Sequence, residues 1–135
     1  MSLKTVRTKM AEKLGNINGL KAFAYPPNNL PQLPCAIVGL APDAADYQEP
    51  GDTTIWRLFV LLLLASYDAD KAYNEMDDYL EKTGEKSIKA NLESGTDAAD
   101  YVVVQRVQGV GPIAYRAPGQ LFYGAEFVVE AGDTT

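Results

Sequence analysis

The sequence predicts an α+β fold: a single mainly antiparallel β-sheet of about five strands, with two or three helices packed on one face. Three observations predict it. The run Ile55-Trp56-Arg57-Leu58-Phe59-Val60-Leu61-Leu62-Leu63-Leu64 is apolar at every position but one and reads as a central strand. Helical periodicity is confined to two stretches, near residues 3–17 and 69–80, with a short third from Ser87. The last third of the chain reads as two strands joined by a connection rich in Gly and Pro.

Ser2 is placed to cap a first helix, in which Leu3, Val6, Met10, Leu14 and Ile17 recur at three- and four-residue intervals. Lys4, Arg7, Lys9, Glu12 and Lys13 fill the other positions, so one stripe is buried and the rest faces water. Leu20 to Tyr25 reads as a strand. Residues 26–34 hold four prolines, which cannot donate backbone hydrogen bonds, so this is a stiff irregular link. Its PxxP match, Pro31 and Pro34, reads as a lead-in to the next strand, Cys35 to Leu40. Ala41 to Asp52 reads as a polar loop carrying Asp43, Asp46, Glu49 and Asp52. These carboxylates lack the alternating ligands, central glycine and closing Glu of an EF-hand, so no metal is expected.

In the central strand, alternate side chains point to opposite faces. Trp56, Leu58, Val60, Leu62 and Leu64 form one row; Ile55, Phe59, Leu61 and Leu63 form the other. With both long helices on one side, the second row is expected to lack an intramolecular lid and to become an interface. The second helix is expected to bury Ala69, Ala72, Tyr73, Met76 and Leu80, with Gly84 ending it. Ile88 and Leu92 place one turn on the third, which Gly95-Thr96-Asp97 breaks. Two strands close the chain, Tyr101 to Val107 and Gln120 to Glu130, around a loop at 109–119. Residues 131–135 read as a frayed tail.

The whole of 1–135 reads as one domain, long enough for a hydrophobic core without staples. The apolar run is too short for a membrane helix, which needs about 20 residues. The amino-terminal segment lacks the apolar stretch of a signal peptide, so a soluble intracellular protein is expected. The lone Cys35 fits a reducing compartment. A formal net charge of -6 argues against a general nucleic-acid binder, though not against a protein that lets nucleic acid pass.

Little in the sequence supports catalysis. There is no histidine, the commonest general base and metal ligand. Cys35 sits in an apolar strand, where a thiol is usually inert. Gly109-Val110-Gly111-Pro112 is no dinucleotide fingerprint, and Asp97 and Asp100 bracket a strand start as solubilising groups. No enzyme activity and no cofactor are expected. The eight tyrosines suggest contact surfaces instead, since Tyr and Arg are favoured at interfaces. The candidate contact residues are Asp43, Asp46, Tyr47, Glu49 and Asp52 in one loop, and Tyr115 and Arg116 in the other.

The order of elements carries a resemblance. An amphipathic helix runs into Ile17-Asn18-Gly19-Leu20, and a proline-rich link leads to Leu33-Pro34-Cys35-Ala36-Ile37-Val38. An acidic loop, the long apolar strand, the Asp70–Leu80 helix and Ser87-Ile88-Lys89-Ala90-Asn91-Leu92 follow. The last strand carries Tyr123-Gly124-Ala125-Glu126-Phe127. This arrangement resembles the tail-terminator (minor tail, tail-completion) proteins of long-tailed bacteriophages and prophages. The resemblance implies a non-enzymatic α+β subunit that closes into a hexameric ring on the tail tube. That ring would stop tube polymerisation and offer the surface for head–tail joining. The implied partners are copies of itself, the tail tube protein and a head-completion or neck protein, with genomic DNA passing through the channel unbound. A monomer or weak oligomer is expected in isolation. The implied locations are the host bacterial cytoplasm during assembly and the neck region of the virion tail. Two alternatives are another phage neck or head–tail connector protein, and a small-ligand-binding α+β domain with its pocket between helices and sheet.

Overall fold

The computed structural model describes residues 2–27, 32–48, 51–66, 70–94, 101–115 and 121–134. They form α1 (Leu3–Gly15), β1 (Lys21–Phe23), β2 (Cys35–Tyr47), β3 (Thr53–Ser66), α2 (Asp70–Leu80), α3 (Ile88–Glu93), β4 (Tyr101–Ala114) and β5 (Leu121–Thr134). The five strands make one sheet in the order β1-β2-β3-β5-β4. Short β1 runs parallel to β2, and every other pair is antiparallel. This is the α+β architecture the sequence predicts.

All three helices lie on one face. Ser2 Oγ accepts the Thr5 N–H at 3.2 Å and so starts α1. Val6, Met10 and Leu14 of α1, Met76 and Tyr79 of α2, and Ile88 and Leu92 of α3 enter one core. They meet Leu58, Val60, Leu62 and Leu64 of β3 and Tyr123, Ala125, Phe127, Val129 and Ala131 of β5. The β3 row is the one its alternation predicts. On α2 the buried stripe differs from expectation: Tyr79 is buried, whereas Tyr73 is 68% exposed. Tyr73 instead lies stacked on Tyr123, 5.3 Å between centroids. Met76 and Tyr79, three residues apart, share the helix face that meets the core. Ala69 lies outside the described residues.

Three stretches expected as loop or tail are strand, whereas β1, expected over Leu20 to Tyr25, is shorter, Lys21–Phe23. Residues 41–47, expected as loop, continue β2. Their pairing slips between Leu40, opposite Leu58, and Ala45, opposite Trp56. Pro42 sits in the slipped stretch, where its missing N–H costs no ladder bond. The strand then pairs to Tyr47, and Gln48 N donates to Thr53 O at 3.0 Å across the hairpin end. Residues 109–114, also expected as loop, continue β4 through a second irregularity between Gln108 and Gly111. Gly109 at φ 66° takes the left-handed backbone that this bulge needs. Residues 131–134, expected as a frayed tail, complete β5, with Ala131 opposite Trp56 and Gly132 opposite Ile55. Polar residues on one side of a strand mimic a loop in the sequence, because only half of each turn of the pleat is buried.

The outer strand β4 is clamped by α3. Ser87 is fully buried; its Oγ accepts the Ala90 N–H at 3.0 Å and donates to Glu81 O, fixing the start of the helix. One turn on, Glu93 accepts the Val104 N–H at 2.8 Å, while Lys89 donates to Val104 O at 3.2 Å and to Glu93 at 2.5 Å. Both backbone groups of an edge residue are thereby satisfied from the helix. Burial alone would push the Glu93 carboxyl up, but these two hydrogen bonds and the Lys89 charge hold it below the ordinary value of 4.5.

Two predictions follow from this packing. Because the folded Glu93 pKa is depressed, its stabilisation is present above the ordinary glutamate value and fades as pH falls through the depressed one. Glu93→Gln should therefore flatten the acid limb of a urea-midpoint against pH profile below 4.5; an unchanged limb would contradict the clamp. Separately, a Cβ on Gly124 would collide with the Leu62 backbone carbonyl, whereas one on Gly39 would meet only the Phe59 ring. Backbone cannot swing aside, so Gly124→Ala should cost about 1–3 kcal/mol of unfolding free energy. Gly39→Ala should cost less, measured by the same denaturation.

Candidate functional site on the open face of the sheet

The face opposite the helices has two unlike halves. At one end Cys35, Ile37, Leu63 and Phe122 form a second small core, with Phe23, Leu33, Leu61, Ile113 and Tyr115 packed around it. Cys35, Ile37 and Leu63 are as fully buried as the main core. The lid comes from residues flanking the proline-rich link and from the end of the β4–β5 hairpin. Tyr115 OH donates to Pro27 O at 2.6 Å and ties the two together. The expectation that the second apolar row of β3 lacks an intramolecular lid is corrected here: Leu63 is sealed and Leu61 half-buried. Phe23, Leu33, Ile113 and Tyr115 thus cover this half, where the other face uses helices.

Farther along β3 the face is finished by side chains lying flat on it. The Phe59 ring lies over Gly39, and the Tyr101 ring lies over Gly132. Each glycine leaves the space that the neighbouring aromatic fills. Beyond Phe59 the surface turns polar. Arg57, the one charge in the apolar run, reaches Asp46 at 3.3 Å and Asp43 at 3.7 Å. Glu130, opposite Arg57 in register, accepts from Tyr101 OH at 3.1 Å and from Gln105 Nε2 at 3.4 Å. Gln108 donates to Glu126 one step along. Burial, with the Glu130 hydrogen bond and charge, pushes the Tyr101 phenol up. A cleft of about 350 Å³ opens between these rows, lined by Asp43, Arg57, Phe59, Gln105, Arg106 and Glu126.

The structure brings only part of the expected contact set together. Asp43 and Asp46 converge on Arg57, which supplies the positive charge that a bound cation would otherwise bring. Tyr47 and Asp52 stand at the end of the β2–β3 hairpin, with Tyr47 67% exposed. Tyr115 is no outward contact: it packs inward and bonds the proline-rich link, because its hydroxyl finds a carbonyl there. Glu49 and Arg116 lie outside the described residues. The residues that sequence reasoning did not single out as contacts are Arg57, Gln105, Gln108, Glu126 and Glu130. A lone charge within an apolar strand, and Glu126 and Glu130 at even spacing on β5, were the available signals.

Burial pushes the Cys35 thiol up to about 11, which leaves it protonated and unreactive near neutrality. No helix among the described residues is long and apolar enough to cross a membrane. A scan against protein-family models finds no match to this chain, and a search of curated proteins finds none either.

The sealed second core makes a direct prediction. A soluble thiol reagent at pH 8 should leave Cys35 unmodified in the folded protein and label it at once in urea. Labelling of the native state at the rate of a free thiol would contradict the lid built by Phe23, Leu33 and Tyr115.

Proposed function

We propose that this chain is a structural, non-enzymatic subunit of the tail-terminator type, closing as a ring on the tail tube of a long-tailed bacteriophage or prophage. In this reading it stops tube polymerisation and presents the surface to which the head or neck joins. Its partners are copies of itself, the tube protein and a neck protein. Its places are the bacterial cytoplasm during assembly and the neck region of the finished tail.

The observation that carries the reading is the asymmetry of the sheet. One face is committed to helices, and the far half of the other is a ladder of paired polar groups holding Asp43, Asp46, Glu126 and Glu130. A wall of that kind suits a channel through which DNA must move. Carboxylates repel phosphates; Arg57 is engaged by its own aspartates, and with Arg106 in the same cleft the four carboxylates still outnumber the two arginines. Sticking to the wall would require clustered unpaired cations. The order of helix, link, hairpin, helices and hairpin also agrees with the architecture that the resemblance implies.

Electron microscopy of the purified protein mixed with tail tubes of the same phage tests the reading. A ring at one end of each tube, with elongation halted, is the expected result. Bare ends and continued elongation at saturating protein would refute it.

A further inference from the structure

We infer that α3 is a guard on the outer edge of the sheet: Lys89 and Glu93 occupy the backbone of Val104 and so keep β4 from pairing with β4 of a second copy. The guard stands whatever larger assembly the chain enters.

β4 is the last strand of the sheet, with β5 on its inner side. The outer side of such a strand presents a row of backbone donors and acceptors, a template for another strand. The composition of β4 sharpens the hazard. Tyr101-Val102-Val103-Val104-Gln105-Arg106-Val107-Gln108 holds four valines and a tyrosine, one charge, and neither Gly nor Pro. Segments of that kind pair with copies of themselves. Tyr101 and Val103 are 37% and 40% exposed.

The two halves of β4 are protected by different means. Past Val104 the pairing with β5 slips twice, between Val104 and Arg106 and between Gln108 and Gly111, and Pro112 follows. Bulges twist an edge away from a regular partner, and proline lacks the donor. Tyr101 to Val104 has neither device and runs opposite Gly132 to Val129 without a break. That is the stretch α3 reaches. Glu93 accepts the Val104 N–H at 2.8 Å, and Lys89 donates to Val104 O at 3.2 Å. Since Val104 gives both groups to α3, they point away from β5, to the side where a sixth strand would add. An incoming strand would have to break both bonds, and the contact between Lys89 and Glu93 holds the two side chains together. The strand held off is that of a second copy, because the segment is compatible with itself. Antiparallel pairing of one strand with its own copy also closes a two-fold dimer.

Size-exclusion chromatography with light scattering on purified variants tests the guard. Lys89→Ala with Glu93→Ala keeps good helix formers in α3 while baring Val104. Its apparent mass should rise with concentration above that of the wild type. Glu93→Gln, whose side-chain carbonyl still accepts the Val104 N–H, should match the wild type. Leu92→Ala controls for instability, since it empties a fully buried site on the same helix and leaves the guard in place. It should lower the urea midpoint without raising the mass. Adding Val103→Lys to the double alanine variant should return the wild-type mass, because like charges would meet across the paired edges. If the double variant fails to fold, Glu93→Ala or Lys89→Ala alone bares one group of Val104 and should show the same rise. A wild-type mass in the folded alanine variants would overturn the inference, as would an equal rise in Leu92→Ala or a rise that survives Val103→Lys.

Discussion

The pairing of β3 with β5 is the constraint on which the rest of the molecule depends. Residues Thr53 to Ser66 run against Thr134 to Phe122 almost without interruption, in the middle of the sheet. Because a strand has only two faces, this one register decides which side chains meet the helices and which meet the opposite side. It sets Leu58, Val60 and Leu62 beside Val129, Phe127 and Ala125 under the helices. It also sets Arg57 opposite Glu130 on the other face. A slip of one residue would carry the arginine into the apolar core and expose the leucines.

Given that register, the chain solves an awkward packing problem by unequal means. Three helices cover one side. On the other, Phe23, Leu33, Ile113 and Tyr115 cover the apolar half, and flat-lying rings on Gly39 and Gly132 cover the middle. The remainder is left polar, with each carboxylate given a partner. The result is a chain that completes the cover of both apolar rows of β3 from its own residues. For the ring role proposed above, that would keep the β3 rows from drawing copies together prematurely.

Much of the fold was legible because the strongest patterns were those the core enforces. The α1 stripe, the two rows of β3 and the buried row of β5 follow from periodicity alone. What stayed hidden had a common cause. Ala41 to Tyr47, Gly109 to Ala114 and Ala131 to Thr134 are strands rich in Gly, Ala, Pro and Asp, residue types sparse in strands. Nothing in their composition distinguishes a solvated strand from a loop. The choice of Tyr79 over Tyr73 on α2 depends on where α2 meets β5, a tertiary fact. Tyr115 was misread for a similar reason: a tyrosine near glycines and prolines looks exposed until the Pro27 carbonyl, 88 residues away in sequence, is brought to meet it. Among the described residues of the contact set, Asp43 and Asp46 belong to the polar network around Arg57, and Tyr47 is the outward feature of the hairpin end.

Whether the chain truly seals its own core is the claim beneath all of this, and the concentration dependence of unfolding measures it most directly. If the lid over Cys35, Ile37 and Leu63 is intramolecular, the urea midpoint should stay constant over a hundredfold range of protein concentration. A midpoint that climbs with concentration would mean that folding borrows its cover from a second copy, and would contradict the account.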